Sequence, residues 1–316
     1  MTKTLVAGLL ALCLPAPADV NGTFERTLSV TGPVDLEVGT GSGDIVVHVG
    51  SATSVRIVGH VTSSGWLFWS ADPALVRSVE KDPPIRQTGN RIVVGSAVRK
   101  WNRIGISYSV EVPTDTRLRA STGSGNVEIS TLRGPINLST GSGDIKAERV
   151  GSTVEVRTGS GNIRVAAADG PVNGSTGSGD IDVSAATGDV NINTGSGSLR
   201  VASPGGAVHA RTGSGGIRVE GARRDLDVRT GSGDLDVDGD PGAARWHLET
   251  GSGDAKLRLP ARSSFELDAH SGSGSVRTNH SVTTKGAARH GELKGTAGNG
   301  AADLFIRTGS GSIQID

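Results

Sequence analysis

The chain has almost no sulfur and little aromatic character: one Cys, one Met, four Trp, four Phe and one Tyr in 316 residues. So few large rings exclude the usual α/β or helical enzyme core, which needs bulky side chains to fill the space between its elements. Charge of either sign is not in excess, with 32 Lys and Arg against 32 Asp and Glu, so there is no bulk attraction to nucleic acid or anionic lipid. Beyond the N-terminus no apolar run is long enough to span a bilayer. Glycine is abundant, 48 residues, but follows no three-residue period, which excludes collagen. Val, Ile and Leu recur at fixed places, which excludes disorder.

Residues 1–18 read as a signal peptide. Lys3 supplies the positive start, Leu5 to Leu14 the apolar stretch, and Ala16-Pro17-Ala18 the small-x-small site, with cleavage before Asp19. The competing reading is an N-terminal strand of the fold. A lipoprotein reading needs a small residue before Cys13, and Leu12 is not small. Cys13 leaves with this segment, so the mature chain carries no disulfide framework, no Cys-ligated metal and no thiol nucleophile. The product is expected outside the cytoplasm, in the periplasm, the envelope or the medium.

The dominant signal is an internal repeat. Thr-Gly-Ser-Gly begins at Thr40, Thr122, Thr140, Thr158, Thr176, Thr194, Thr212, Thr230, Thr250 and Thr308, with a Ser271 variant. Thr122 to Thr230 are spaced 18 residues apart, and the next gaps are 20 and 21. Within one unit the glycine turn precedes the alternating segment Asp180-Ile181-Asp182-Val183. A second turn at Thr187-Gly188-Asp189 precedes Val190-Asn191-Ile192-Asn193. Alternation at period two marks strands with one buried face. Two short strands and two turns make one coil of a flattened parallel β-solenoid, right-handed by the rule for parallel crossovers.

The inward positions fall in columns. Val127, Ile145, Ile163, Ile181, Leu199, Ile217 and Leu235 form one; Ile136, Val154, Val172, Val190, Val208 and Leu226 form another. The repeated Thr shares the second strand's inward parity, so a partly buried Thr column is expected, bonded to turn amides or between coils. Glu128, Lys146, Arg164, Asp182, Arg200, Arg218 and Asp236 form an outward column in which opposite charges predominate between neighbours. A hexapeptide left-handed helix also has 18-residue coils but needs an apolar residue every six, which Ile163, Asp169 and Ser175 do not provide.

A single solenoid domain is expected over 19–316, with regular repeats over 122–270, an insert over 62–112 and an irregular segment over 276–303. Thr308 to Ile315 is expected as the last coil. Asp72-Pro73 opens a short helix as N-cap and first position, and Pro83-Pro84 stops it. Three of the four tryptophans lie in the insert. It reads first as a cap over the open end of the stack, and alternatively as a partner or membrane contact through Trp66, Phe68, Trp69 and Trp101.

Chemistry is sparse. Calcium-binding β-rolls place Asp two residues after the last Gly, whereas here Asp144, Asp180, Asp234 and their Asn or Ser substitutes follow it directly, as turn caps do. Asp234, Asp236 and Asp238 could suggest glycoside chemistry, but they lie at ordinary outward positions. His209 and His247 share a column but are two coils apart, too far to share a metal. No serine has a recurrent His or Asp neighbour to activate it. No catalytic residue, cofactor or metal ligand is therefore assigned.

The repeated Thr-Gly-Ser-Gly-Asp-Ile-x-Val, Gly32-Pro33-Val34-Asp35-Leu36 and Asp82-Pro83-Pro84-Ile85 resemble the bacterial putative-adhesin β-strand-repeat family, a domain of unknown function related to the auto-transporter adhesin head domain. The resemblance covers nearly all of residues 24–316. It implies a β-solenoid on a bacterial envelope or secreted from it, and it brings no catalytic residues. The expected function is a non-enzymatic adhesin or envelope binding scaffold, monomeric, with a cell-surface glycan or envelope protein as partner. A polysaccharide-active β-helix enzyme and an envelope docking module are the alternatives.

Overall fold

The computed structural model describes residues 20–63, 72–95, 104–285 and 290–316. The leader assigned to 1–18 and the group Trp66, Phe68, Trp69 and Trp101 lie outside the described residues.

The described chain is a two-sided parallel β-solenoid with one helix. Its strands lie in two sheets, one of 14 strands and one of 15. Eight strand pairs make the regular body, from β8 (Arg117–Ser124) with β9 (Val127–Leu132) to β22 (Arg245–Ser252) with β23 (Ala255–Arg258). Each pair is a rung, and like positions of successive rungs meet in register: Ile163 opposite Ile181, Thr158 opposite Thr176. The inward Val, Ile and Leu of both sheets form one continuous buried core. At about 25 cal/mol per Å² of apolar area, such thin stacked layers are held mainly by burial against the rungs above and below.

The glycines of the repeat are required by stacking. Gly143 has φ of +153°, and a Cβ there would lie 2.0 Å from the carbonyl oxygen of Gly125 one rung below. Gly141, in ordinary backbone, would meet the Gly123 oxygen at 2.5 Å. Backbone thus packs on backbone at the corner, which no side chain permits.

The Thr column is buried from Thr122 onward, 7% exposed or less, and only Thr40 near the N-terminal end is partly exposed. Its hydroxyls do not reach turn amides; from Thr122 onward they donate to the glycine carbonyl of the rung below, as Thr158 Oγ1 does to Gly143 O at 3.0 Å, and Thr40 Oγ1 donates to Ile106 O at 2.8 Å. The Asp or Asn after the last Gly also acts between rungs rather than within its own turn. Asn126 Oδ1 accepts from the Asp144 amide, and Asp144 Oδ1 accepts from the Asn162 amide.

The longer gap before Thr250 is absorbed in a turn, with the strands on either side kept in register. The strand ends at Gly239, the chain turns through Asp240 to Ala244, and register resumes with Trp246 opposite Leu226. Trp246 is buried, and its indole N–H donates to Arg224 O at 2.9 Å.

The stack departs from chain order at both ends. β1 (Val20–Ser29), β2 (Asp35–Ser42), β3 (Ile45–Val49) and β4 (Ser54–Ser63) precede α1 (Pro73–Lys81), β5 (Ile85–Thr88), β6 (Arg91–Val94) and β7 (Gly105–Val112). β6 and β7 form a rung beneath β2 and β3, which therefore lie between them and β8 and β9. Residues 62–112 thus contribute strands to both sheets as well as the helix. β1 closes one sheet edge antiparallel to β4, and α1 packs on both with Val76 and Val79 buried. The helix starts as its sequence predicts: Asp72 Oδ1 accepts from the amides of Ala74 and Leu75 at 3.0 Å, with Pro73 in the first turn.

At the other end follow β24 (Phe265–Ser271), β25 (Val276–Thr278), β26 (Thr283–Thr284), β27 (Glu292–Ala297), β28 (Ala302–Ser310) and β29 (Ile313–Ile315). β28 lies parallel between β22 and β24, and β29 between β23 and β25. The Thr308 rung is therefore last in sequence but not last in space, which corrects the expectation above. Period alone cannot say that the chain skips a place and returns to it. Among the described residues no helix is long and apolar enough to cross a membrane.

Candidate binding surface

The outward residues of the strands form two long polar faces. On the face carrying the Glu128 column, the two like-charged neighbouring pairs, Lys146 with Arg164 and Arg200 with Arg218, are relieved by carboxylates beside them. Lys146 bonds Glu128 at 2.9 Å and Glu148 at 3.0 Å, while Arg164 faces Asp182 at 3.7 Å. Arg200 and Arg218 both reach Glu220, at 3.0 and 2.6 Å. These pairs are largely solvated and each contributes little, about 0–1 kcal/mol; what they do is leave the face nearly neutral and ordered.

The opposite face changes character along its length. Between Asn137 and Asn193 its outward positions are mostly Asn and Ser, with Asn191 Nδ2 donating to Asn173 Oδ1 at 3.3 Å. From His209 onward they are charged and aromatic. Asp227 is the hub: Arg211 and Arg229 donate to its two oxygens at 2.8 and 2.7 Å, with His209 and His247 each 3.9 Å away on adjacent rungs. Burial alone would raise the Asp227 carboxyl, but the two guanidinium groups outweigh it and hold it below the ordinary carboxylate value. His247 is held below the ordinary imidazole value by burial first and by the Arg229 charge second. Its ring meets Phe305 edge-on at 4.7 Å, and the Arg307 guanidinium lies 4.4 Å from the Phe305 ring centre. The out-of-order rung thus brings Phe305 beside His247 although 58 residues separate them in sequence.

Of the three carboxylates considered for glycoside chemistry, Asp234 and Asp236 are engaged structurally. Asp234 Oδ1 accepts from the Asp254 amide at 2.9 Å, and Asp236 pairs with Arg218 and Arg258. Among the described residues no group of three or more His, Cys, Asp or Glu is placed to hold a metal ion. The shared column of His209 and His247 is legible in the sequence; the Asp227 hub between them was not singled out, and the Phe305 and Arg307 neighbourhood depends on the stacking order.

The chain matches none of the curated proteins. Two solved structures align along most of its length. One, from Clostridium sporogenes, is described as a "putative cell adhesion protein": it is 12% identical, covers 93% of this chain and 99% of its own, and has a TM-score of 0.21. The other, a "putative adhesin" from Bacteroides fragilis, is 11% identical over 93% and 97%, with a TM-score of 0.38. Likeness at that level carries no argument about this chain. The family comparison is stronger, since the Toastrack DUF4097 family matches residues 86–203 and 151–316, well over half of the sequence. With its stacked parallel rungs and repeated glycine corners, the chain belongs to the Toastrack family.

Proposed function

We propose that the chain is an exported, monomeric, non-enzymatic β-solenoid that serves a bacterial envelope as an adhesin-like scaffold or binding module, with residues 1–18 as its leader. The observation that carries this reading is the use made of the polar side chains. Outer-face cations such as Arg200 and Arg218 pair with Glu220, Asp234 holds a backbone amide of the next rung, and at Asp227, where charges gather, two guanidinium groups occupy both oxygens, so these groups build an ordered surface. Broad, ordered polar faces suit a cell-surface glycan or an envelope protein. The test is a glycan array with whole-cell binding by the mature chain. Saturable binding without turnover supports the reading; no binding to any surface together with measured turnover of a polysaccharide overturns it.

Within this reading Trp66, Phe68, Trp69 and Trp101 are assigned as the partner contact. Deleting 62–112 would remove the β6–β7 rung as well, so point variants are needed. Trp66→Ser with Trp69→Ser should abolish binding and leave the unfolding midpoint unchanged. Lost stability with intact binding would instead make these residues packing groups.

A further inference from the structure

The rung of β28 and β29 occupies a slot that the chain first leaves empty. Parallel ladders hold it on both edges. Thr308 Oγ1 donates to Gly253 O at 2.9 Å below it, and Ser271 Oγ donates to Gly311 O at 2.7 Å above it. Ala302, Leu304, Ile306, Ile313 and Ile315 are buried there. Without this rung the facing edges of β22 and β24 stand about two strand spacings apart, roughly 9–10 Å, too far to pair with each other.

The connection that delivers the rung is short and bent. β27 runs antiparallel on the outer side of β24, so the chain must cross β24 within residues 298–301 to reach the slot. Gly298 and Gly300 take φ of +61° and +71° there. Ser264 Oγ pins the bend, accepting from the Asn299 amide at 2.8 Å and donating to Ala297 O at 3.2 Å. If this bend straightens, β28 and β29 are carried away from their own slot. The slot of a second copy then offers the same ladders, hydroxyl bonds and core, and only the bend itself differs. Tight connections that lead into complete, transferable elements are the setting in which such exchange costs least.

We propose that, as concentration rises, the β28–β29 rung of the monomer exchanges between two copies of this chain, giving a reciprocal dimer in which each solenoid is completed by its partner's rung. The proposal goes beyond the binding function and rests only on the order of the stack.

Lys256 and Gln314 are register neighbours with exposed side chains, and adjacent strand positions lie within disulfide reach. In a Cys13→Ser background, chains carrying Lys256→Cys and chains carrying Gln314→Cys are mixed in denaturant, refolded together over a range of concentrations and oxidised. The expected result is a disulfide between chains of the two kinds, its share rising with concentration. Gly300→Val, which disfavours the bend, should raise that share several-fold. The double variant Lys256→Cys/Gln314→Cys, refolded dilute, should close its disulfide within one chain. Mixed chains that stay monomeric, or link only like with like, while the double variant closes internally, overturn the proposal. Failure of the dilute double variant to close also overturns it, because β29 would then not lie beside β23.

Discussion

Each repeat Thr commits its hydroxyl to the rung below, and this makes its chemistry testable one atom at a time. Thr176 Oγ1 donates to Gly161 O at 3.0 Å from a nearly closed site. Thr176→Val keeps the shape and removes the donor, and should cost about 1 kcal/mol, read as a lower urea midpoint with an unchanged slope. The Asp227 and His247 pair makes stability depend on pH. Asp227 titrates below its ordinary value, so its contribution is complete at neutral pH and is lost as pH falls through its folded value, below roughly pH 4. His247 also binds its proton less readily when folded, first because burial disfavours the charged ring, with Arg229 and Arg307 also opposing protonation and Asp227 and Glu249 favouring it. Stability should therefore decline as pH drops below roughly 6.5, where the unfolded imidazole begins to protonate. His247→Gln should flatten the pH 5–7 part of the midpoint curve and leave the more acidic decline in place. A curve unchanged in both windows would contradict this assignment.

At the level of elements, the first strand is an exposed edge that its neighbours block. The Thr23 amide donates to Glu80 Oε1 of α1 at 2.9 Å, and Gln87 Nε2 donates to Ser29 O at 2.8 Å, so part of the β1 edge is unavailable to another strand. The guard depends on a helix of nine residues, too short to be stable without its cap and packing. Asp72→Ala removes both capping bonds and should cost about 1 kcal/mol. Because rungs couple to nearest neighbours, the loss should appear as faster amide exchange in β1 and β4, with the rungs beyond Thr122 unaffected.

For the whole molecule, stability is a sum over rungs and their interfaces, so the body can be shortened. Removing one complete unit, Thr176 to Asn193, brings the Thr158 rung against the Thr194 rung with every inward column and the hydroxyl ladder in phase. The shortened chain should fold with unchanged β-type circular dichroism, elute as a smaller species and melt within a few degrees of the parent. Deleting nine residues instead would join unlike strands, moving a second-turn corner onto a glycine corner, and should give aggregate.

The repeat was legible in the sequence because each of its devices is local or strictly periodic. Period-two alternation placed the strands, 18-residue spacing placed Ile163 beside Ile181, and the Asp72-Pro73 pair placed the helix start. The buried Thr column followed from parity. Its acceptor did not, because a carbonyl one rung below is close only once the glycine corners are stacked. The order of the end rungs was equally out of reach: the Thr308 unit carries the same motif as the Thr250 unit, and nothing in it specifies a slot below Ser271 rather than above. That choice belongs to the tertiary structure. It is set by β27 turning antiparallel on β24 and by the vacant edges left between β22 and β24, and it is also what brings Phe305 and Arg307 to His247.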